Sequence, residues 1–355
     1  SGLMESENKS DWLYRQLHQR VMRMRDQEAF PTVRQLMAEY GLSLVTVTAA
    51  VRRLKEKGLV ESFVGRGSFV RRERQACFHV LMLQPNWESA YLDRNRDMLI
   101  EAVRQFPMEL EVCRYDYRVD IFAHLNEYSA DLIVLDAASI DRLRPEQVMM
   151  LTQSVAPVIL CSNAVPLEGI RYVCGDNNAV GMLAVRHLTE NGHDRLGFLY
   201  CEPHVLTSET VVGSFNFAAS ASGCKVTLLD CGMRSGDRPE AKIREFARRF
   251  ADGEFDFTAM FAISDYGALV ALREFEALGI EVPETLSILG CGNVKVPGIE
   301  RLTTVDTPRD QIATEVATMA ITFEAYARNN GAFKAARPMP TGSPAGIICL
   351  LYTSD

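Results

Sequence analysis

The chain has no apolar run approaching the ~20 residues that a membrane-spanning helix needs. It also lacks the charged head and apolar core of a secretory signal, so a cytoplasmic protein is expected. Nine cysteines (77, 113, 161, 174, 201, 224, 231, 291 and 349) form no Cys-x-x-Cys pair and are odd in number. That excludes a zinc ribbon and a disulfide framework and leaves buried free thiols in a reducing compartment. No Gly-x-Ser-x-Gly elbow, Walker loop or His-Glu-x-x-His motif occurs, and Gly65-Arg66-Gly67 lacks the strand-turn-helix setting of a dinucleotide site. His187 and His193 have no third ligand near them and read as capping or core residues rather than a metal site. No catalytic residue, metal or cofactor is therefore expected.

Positive charge is also scarce overall, the net charge being -8, but its distribution is uneven. Residues 11–76 hold thirteen Lys/Arg against seven Asp/Glu, a surplus of six, which leaves the remaining chain at -14. A basic head on an acidic body suits a protein that presents only its head to a polyanion. With 355 residues and 47% apolar content, two or three domains with real cores are expected.

The head is legible in detail. Trp12, Leu13, Leu17, Val21 and Met24 define an amphipathic helix over Asp11–Met24. Thr32 is an N-cap ahead of Val33, Leu36 and Met37, and Gly41 ends that second helix. Ser43 caps a third, whose Val47, Ala50, Val51 and Leu54 face inward, leaving Leu44, Thr48, Arg52 and Lys55 on another face. Gly58 stops it, and Leu59–Phe63 and Ser68–Arg72 read as strands joined through Gly65-Arg66-Gly67. This is the pattern of a winged helix-turn-helix. The ordered set Pro31, Arg34, Leu36, Ala38, Leu42, Ser43, Thr46, Val47, Ala50, Leu54, Gly58, Leu59, Val60, Gly65 and Gly67-Ser68-Phe69-Val70 resembles the DNA-binding domain of GntR-type transcription regulators. The resemblance implies that Arg34, Ser43, Leu44, Val45, Thr46, Thr48, Arg52, Gly65, Arg66 and Gly67 meet DNA. That family usually carries arginines where this chain has Leu44 and Thr48, so apolar contact of Leu44 or Val45 with thymine methyls is expected in their place.

Charged residues 71–76 read as a linker. From Phe78, apolar strands alternate with amphipathic helices, which implies an α/β body of parallel sheets covered on both faces. Strands are expected near 78–83, 109–115, 131–135, 157–161, 172–174, 196–200, 225–229, 259–263 and 287–290, and helices near 91–105, 121–127, 179–191, 238–251, 266–278 and 309–327. Nine strands fit two sheets better than one. Val173-Cys-Gly-Asp176-Asn177, Gly192-His-Asp-Arg-Leu-Gly-Phe198, Ser264-Asp265, Val282-Pro283 and Leu302-Thr-Thr-Val305 resemble the LacI/GalR-type effector domain, with the two-lobed fold of periplasmic sugar-binding proteins. A GntR-type head on such a body is the layout of arabinose repressors.

The resulting division is 1–10 as tag remnant or disordered, 11–72 winged helix, 73–77 linker and 78–340 effector domain. Lobe 1 is expected at about 78–192 and 292–328, and lobe 2 at about 193–291 and 329–340. Residues 341–355 match the family poorly, and Cys349–Asp355 resembles translated sequencing-adapter read-through. The resemblance places Asn86, Trp87, Tyr91, Asp136, Asn163, His204, Ser264, Asp265, Tyr266 and Asn293 at the effector cleft. It also shows two departures: Val211 stands where the family has a sugar-binding Arg, and Gly292 where it has an Asp. Both remove bidentate hydroxyl partners, which favours a sugar derivative, glycoside or nucleoside over a simple sugar.

The function implied is a ligand-responsive, homodimeric repressor of a carbohydrate-utilisation operon that binds double-stranded DNA and a small effector. A solute-binding protein would have no use for the head, and an enzyme on a Rossmann-like body would show a constellation of acid, base or nucleophile.

Overall fold

The computed structural model describes residues 9–25, 27–71, 78–136, 142–161, 165, 167, 169–330 and 347–350. The expected linker, Asn163 and most of the two termini lie outside the described residues.

The head contains α1 (Lys9–Arg23), β1 (Ala29–Phe30), α2 (Val33–Tyr40), α3 (Leu44–Glu56), β2 (Val60–Phe63) and β3 (Gly67–Val70). Thr32 and Gln35 close a capping box on α2, and Gly41, at φ 64°, ends it in the left-handed region. The Ser43 hydroxyl accepts the Thr46 N–H at the start of α3. Leu13, Leu17, Leu36, Val47, Ala50 and Leu54 are fully buried together, so the apolar spacing of three helices converges on one core. The antiparallel order β1-β3-β2 makes the wing a three-stranded sheet. β1 has two residues and no strand signal of its own; pairing with β3 alone creates it.

The body has two all-parallel sheets, as its alternation implied. The first has the order β14-β8-β7-β6-β4-β5 and the second β10-β9-β11-β12-β13. In the first, β4 (Phe78–Pro85), β5 (Met108–Tyr115), β6 (Leu132–Asp136), β7 (Val158–Cys161) and β8 (Arg171–Gly175) are joined by β14 (Ile347–Leu350). α4 (Ala90–Val103) and α10 (Arg309–Asn330) cover one face. A 3-10 helix at Ile121–Glu127 and α5 (Pro145–Thr152) cover the other. The second sheet holds β9 (Arg195–Tyr200), β10 (Lys225–Asp230), β11 (Ala259–Ala262), β12 (Ser287–Cys291) and β13 (Thr303–Val305). α8 (Glu240–Ala251) and α9 (Asp265–Glu276) pack on one side, α6 (Asn177–Glu190) and α7 (Leu206–Ala221) on the other.

The lobe boundaries differ from those expected. α6 belongs to lobe 2, because Val180, Ala184 and Leu188 are buried with Phe198 and Phe215 rather than under the first sheet. The chain therefore crosses near 176, not 192. β13 pairs with β12, so the return to lobe 1 falls near 306, not 291. Ile347–Leu350 pairs with Tyr172–Gly175 in lobe 1, and residues 331–340 of the segment expected in lobe 2 lie outside the described residues. α5, α7 and β13 were absent from the sequence reading, and the segment over 121–127 is a 3-10 helix rather than an α-helix.

The head sits on lobe 1 through α1 and the end of α3. Gln19 Nε2 donates to the Glu127 carbonyl at 2.5 Å, and His18 Nδ1 meets Ser129 Oγ at 3.1 Å. Lys57 pairs with Glu109, and the Arg15 guanidinium lies 5.2 Å from the Tyr128 ring centroid.

Candidate functional site

Two places carry function-bearing side chains, and the first is the outer face of α3 with the wing. Leu44 is 57% and Val45 79% exposed at the N-terminus of α3, with Thr48 and Arg52 also outward. Two adjacent exposed apolar side chains at a helix start form a small apolar patch that a partner surface can cover. The N-terminal turn of a recognition helix against base edges in a major groove is such a cover. Ser43 and Thr46 exchange a hydroxyl contact at 2.9 Å and so shape the turn rather than project from it. Arg34 is exposed on α2. At the wing tip Gly65 (φ 75°) and Gly67 (φ 97°) flank an exposed Arg66, so only glycines let the tip turn. Arg52 is held by Glu56 at 3.5 Å on the same helix.

The second place is a cavity of about 1080 Å³ between the lobes. It is bounded by the chain just after the C-terminal ends of β4, β9, β11 and β12, where parallel sheets bind ligands. Trp87, Tyr91, Ser264, Asp265 and Tyr266 line it, as the resemblance implies. Asp265 is 1% exposed, and its carboxylate accepts from the Val294 N–H at 2.9 Å and the Thr304 hydroxyl at 2.6 Å. It thus ties the start of α9 to the chain following β12 and to β13. The Tyr266 hydroxyl donates to Glu240 at 2.5 Å and accepts from Arg238 at 3.0 Å, at the rim. Arg238 of lobe 2 also reaches Glu88 of lobe 1 at 3.7 Å, a bridge across the mouth.

Other expected residues fall elsewhere. Asp136, fully buried at the end of β6 and bonded by Gln84 Nε2 at 3.2 Å, lines a small adjoining chamber with Tyr91 and Arg309. His204 does not line the cleft: it stacks on Tyr200 with centroids 4.2 Å apart and bonds Asp230 at 2.9 Å. Asn293 turns away to Asp306 at 3.1 Å, and Asn86 sits beside Tyr117 outside the lining. Val211 and Gly292, the two departures, do face the cavity. The sequence reading missed Arg94, Glu202, Lys295 and Arg309, all of which line it. Burial pushes the Glu202 carboxyl above the usual carboxylate range, against the pull of a Ser264 hydrogen bond. Only Arg309 had a local signal, as a charge directly after a helix-opening proline, Pro308.

Comparison with known proteins agrees domain by domain. Residues 9–70 match the bacterial regulatory proteins of the gntR family, and residues 185–341 match the periplasmic binding protein-like domain. The chain joins a gntR-family head to a periplasmic-binding-protein-like body. The HTH-type transcriptional regulator CelR of Thermobifida fusca is 29% identical over 44% of the chain and 46% of its own length. The HTH-type transcriptional regulator GalR of Escherichia coli is 27% identical over 48% of the chain and 50% of its own. The chain thus spans about half the length of the curated relatives it matches. Among solved structures, a transcriptional regulator CelR–cellobiose complex superposes with a TM-score of 0.58 at 18% identity, over 91% of this chain and 97% of that one. That likeness establishes the two-lobed fold. Among the described residues no helix is long and apolar enough to cross a membrane.

Proposed function

We propose that the protein is a one-component transcription regulator, a repressor of a carbohydrate-linked operon acting in the cytoplasm as a homodimer. Its α3 and wing read operator DNA, and a carbohydrate-type effector held between the lobes changes that affinity. The observation that carries this reading is the junction of the two sites in one chain. An exposed apolar helix start with basic flanks is docked through α1 on the lobe whose strand ends line a cavity large enough for a disaccharide-sized ligand. A dimer follows from the geometry of operators, since two heads one helical turn apart read a palindrome. The regulators whose names and structures the chain resembles, one of them bound to cellobiose, support the same reading.

The test is retention of genomic fragments by the purified protein at physiological salt, repeated with a panel of sugars and sugar derivatives. Selective retention of a few palindromic fragments, released by one panel member, is expected. Retention of no sequence above background disproves DNA reading, and retention unmoved by every ligand disproves the sensor.

A further inference from the structure

We infer that the effector carries an anionic group, a carboxylate or a phosphate, which seats on the Arg309 guanidinium at the back of the cleft. The inference deepens the reading of the cleft as an effector site and rests on it.

Arg309 is 3% exposed at the first turn of α10. Its Nε donates to Asn95 Oδ1 at 3.0 Å and its Nη1 to the Gly292 carbonyl, while the ring of Tyr91 lies against it at 4.4 Å. Nη2 is buried with no hydrogen-bond partner. Among the described residues no ion pair within 4.0 Å joins this guanidinium to a carboxylate, and the buried Asp136 lines the same adjoining chamber. A buried cation without a counter-charge is costly, and a neutral hydroxyl would satisfy the N–H while leaving the charge uncompensated. A ligand carboxylate or phosphate supplies both acceptor and charge.

The rest of the cleft points the same way. Arg94 also lines it with Nε buried and unpartnered, and Lys295 stands exposed on the lobe 2 side with no ion-pair partner among the described residues. Four of the carboxylates around them are held by arginines. Asp93 and Asp97 are held by Arg96, Glu101 by Arg104, and Glu88 by Arg238. Asp237 accepts from the Arg234 N–H, and Asp265 from Val294 and Thr304, neutral donors that leave both carboxylates charged. Burial holds Glu202 toward its neutral form. Arg94, Lys295 and Arg309 are thus three cations of the lining that no ion pair holds among the described residues.

Gly292 explains why Arg309 is left open. A Cβ built there would lie 3.4 Å from Arg309 Nη2 and 3.5 Å from Asp265 Oδ2. The position at which the resemblance expects an Asp thus abuts the guanidinium. With glycine in its place, a space bounded by Nη2 and Asp265 Oδ2 stays open to a ligand.

The test is calorimetric titration of the full chain with matched neutral and anionic probes: glucose against glucuronate and glucose 6-phosphate, galactose against galacturonate, and cellobiose against cellobionate. We expect at least one anionic member to bind about ten-fold or more tighter than its neutral counterpart; the carboxylate and phosphate arms distinguish the two sources of charge. Arg309→Gln, and separately the exposed Lys295→Gln, should weaken that member about ten-fold more than its neutral counterpart. Lys295→Gln keeps the test valid if Arg309→Gln fails to fold. Neutral members binding as tightly as anionic ones, no anionic member binding, or an equal loss for both overturns the inference. Operator fragments retained and then released by a neutral sugar would overturn it while leaving the regulator reading intact. Absence of operator retention would overturn the latter alone.

Discussion

Arg52 and Arg53 are neighbours on α3 with opposite fates. Arg52 stays at the surface beside Glu56, whereas Arg53 turns back, pairs with Asp11 at 2.5 Å and lies 4.0 Å from the Tyr14 ring centroid. One step along a helix turns a side chain by about 100°, so a sequence-level tally of basic residues overstates what the head offers to phosphates. Arg34 and Arg66 remain as unburied basic contacts. Arg34→Ala and Arg66→Ala should each lower the slope of log binding constant against log salt by about one, read from filter binding at several salt concentrations. An unchanged slope would show that neither meets a phosphate. Leu44→Ala should instead leave the slope intact and reduce discrimination at a thymine position, by about 1–3 kcal/mol at most, in a competition against single-base operator variants. The outward side of α3 was readable because a helix with four inward positions fixes its own outside. The partners of Arg94 and Arg309 were not, since they depend on which loops a distant lobe brings near.

At the scale of elements, α1 is unexpected in its docking face. Its apolar stripe was legible, but its second face, which meets lobe 1, shows no hydrophobic periodicity because polar contacts make it. His18 is enclosed there, its ring 5.2 Å from that of His79, with Glu111, Lys57, Tyr14 and Ser129 around it. Burial first, then the neighbouring His79, lowers its pKa from 6.5 to about 4, while Glu111 opposes. Burial raises Glu111 in turn, but the His79 hydrogen bond together with the charges of His79, Arg53 and His18 outweighs it and lowers its pKa, so this carboxylate stays charged over most of the range. The docked state therefore binds fewer protons at His18 than the undocked one. Its contribution is complete above pH 6.5 and is lost progressively as pH falls toward 4. Amide exchange of α1 should accelerate over that window and should do so less in His18→Gln; equal acceleration in both would remove His18 as the cause. α5 and α7 escaped the sequence reading for a different reason. α7 carries Thr207, Thr210, Val211 and Val212 with Gly213 in its middle, residues of low helix propensity, and only packing on α6 makes it helical.

For the whole molecule, two parallel sheets were legible from strand spacing alone, whereas the crossings between lobes were not. A crossing is decided by which helices fit together. Gly181 brings α6 against α7 so closely that a Cβ would lie 2.2 Å from Ser214 Oγ and 2.4 Å from the Phe215 nitrogen. No periodicity announces such a contact. Gly181→Ala should destabilise lobe 2 by about 1–3 kcal/mol through overpacking, seen as a lower midpoint in urea with DNA retention by the folded protein unchanged. A variant as stable as the parent would mean that the two helices part more readily than their contact implies.

The seam between α1 and lobe 1 has a mechanical meaning. Every polar contact described across it, from Lys57 to Glu109, Gln19 to Glu127 and His18 to Ser129, lands on the same lobe. Under the proposed function, with an operator gripping the heads, lobe 1 would be a stator and lobe 2 the rotor, and the effector would set the angle between them. Cutting the seam would leave both grips intact and the transmission broken: a repressor that holds its operator and its effector with undiminished affinity, each indifferent to the other.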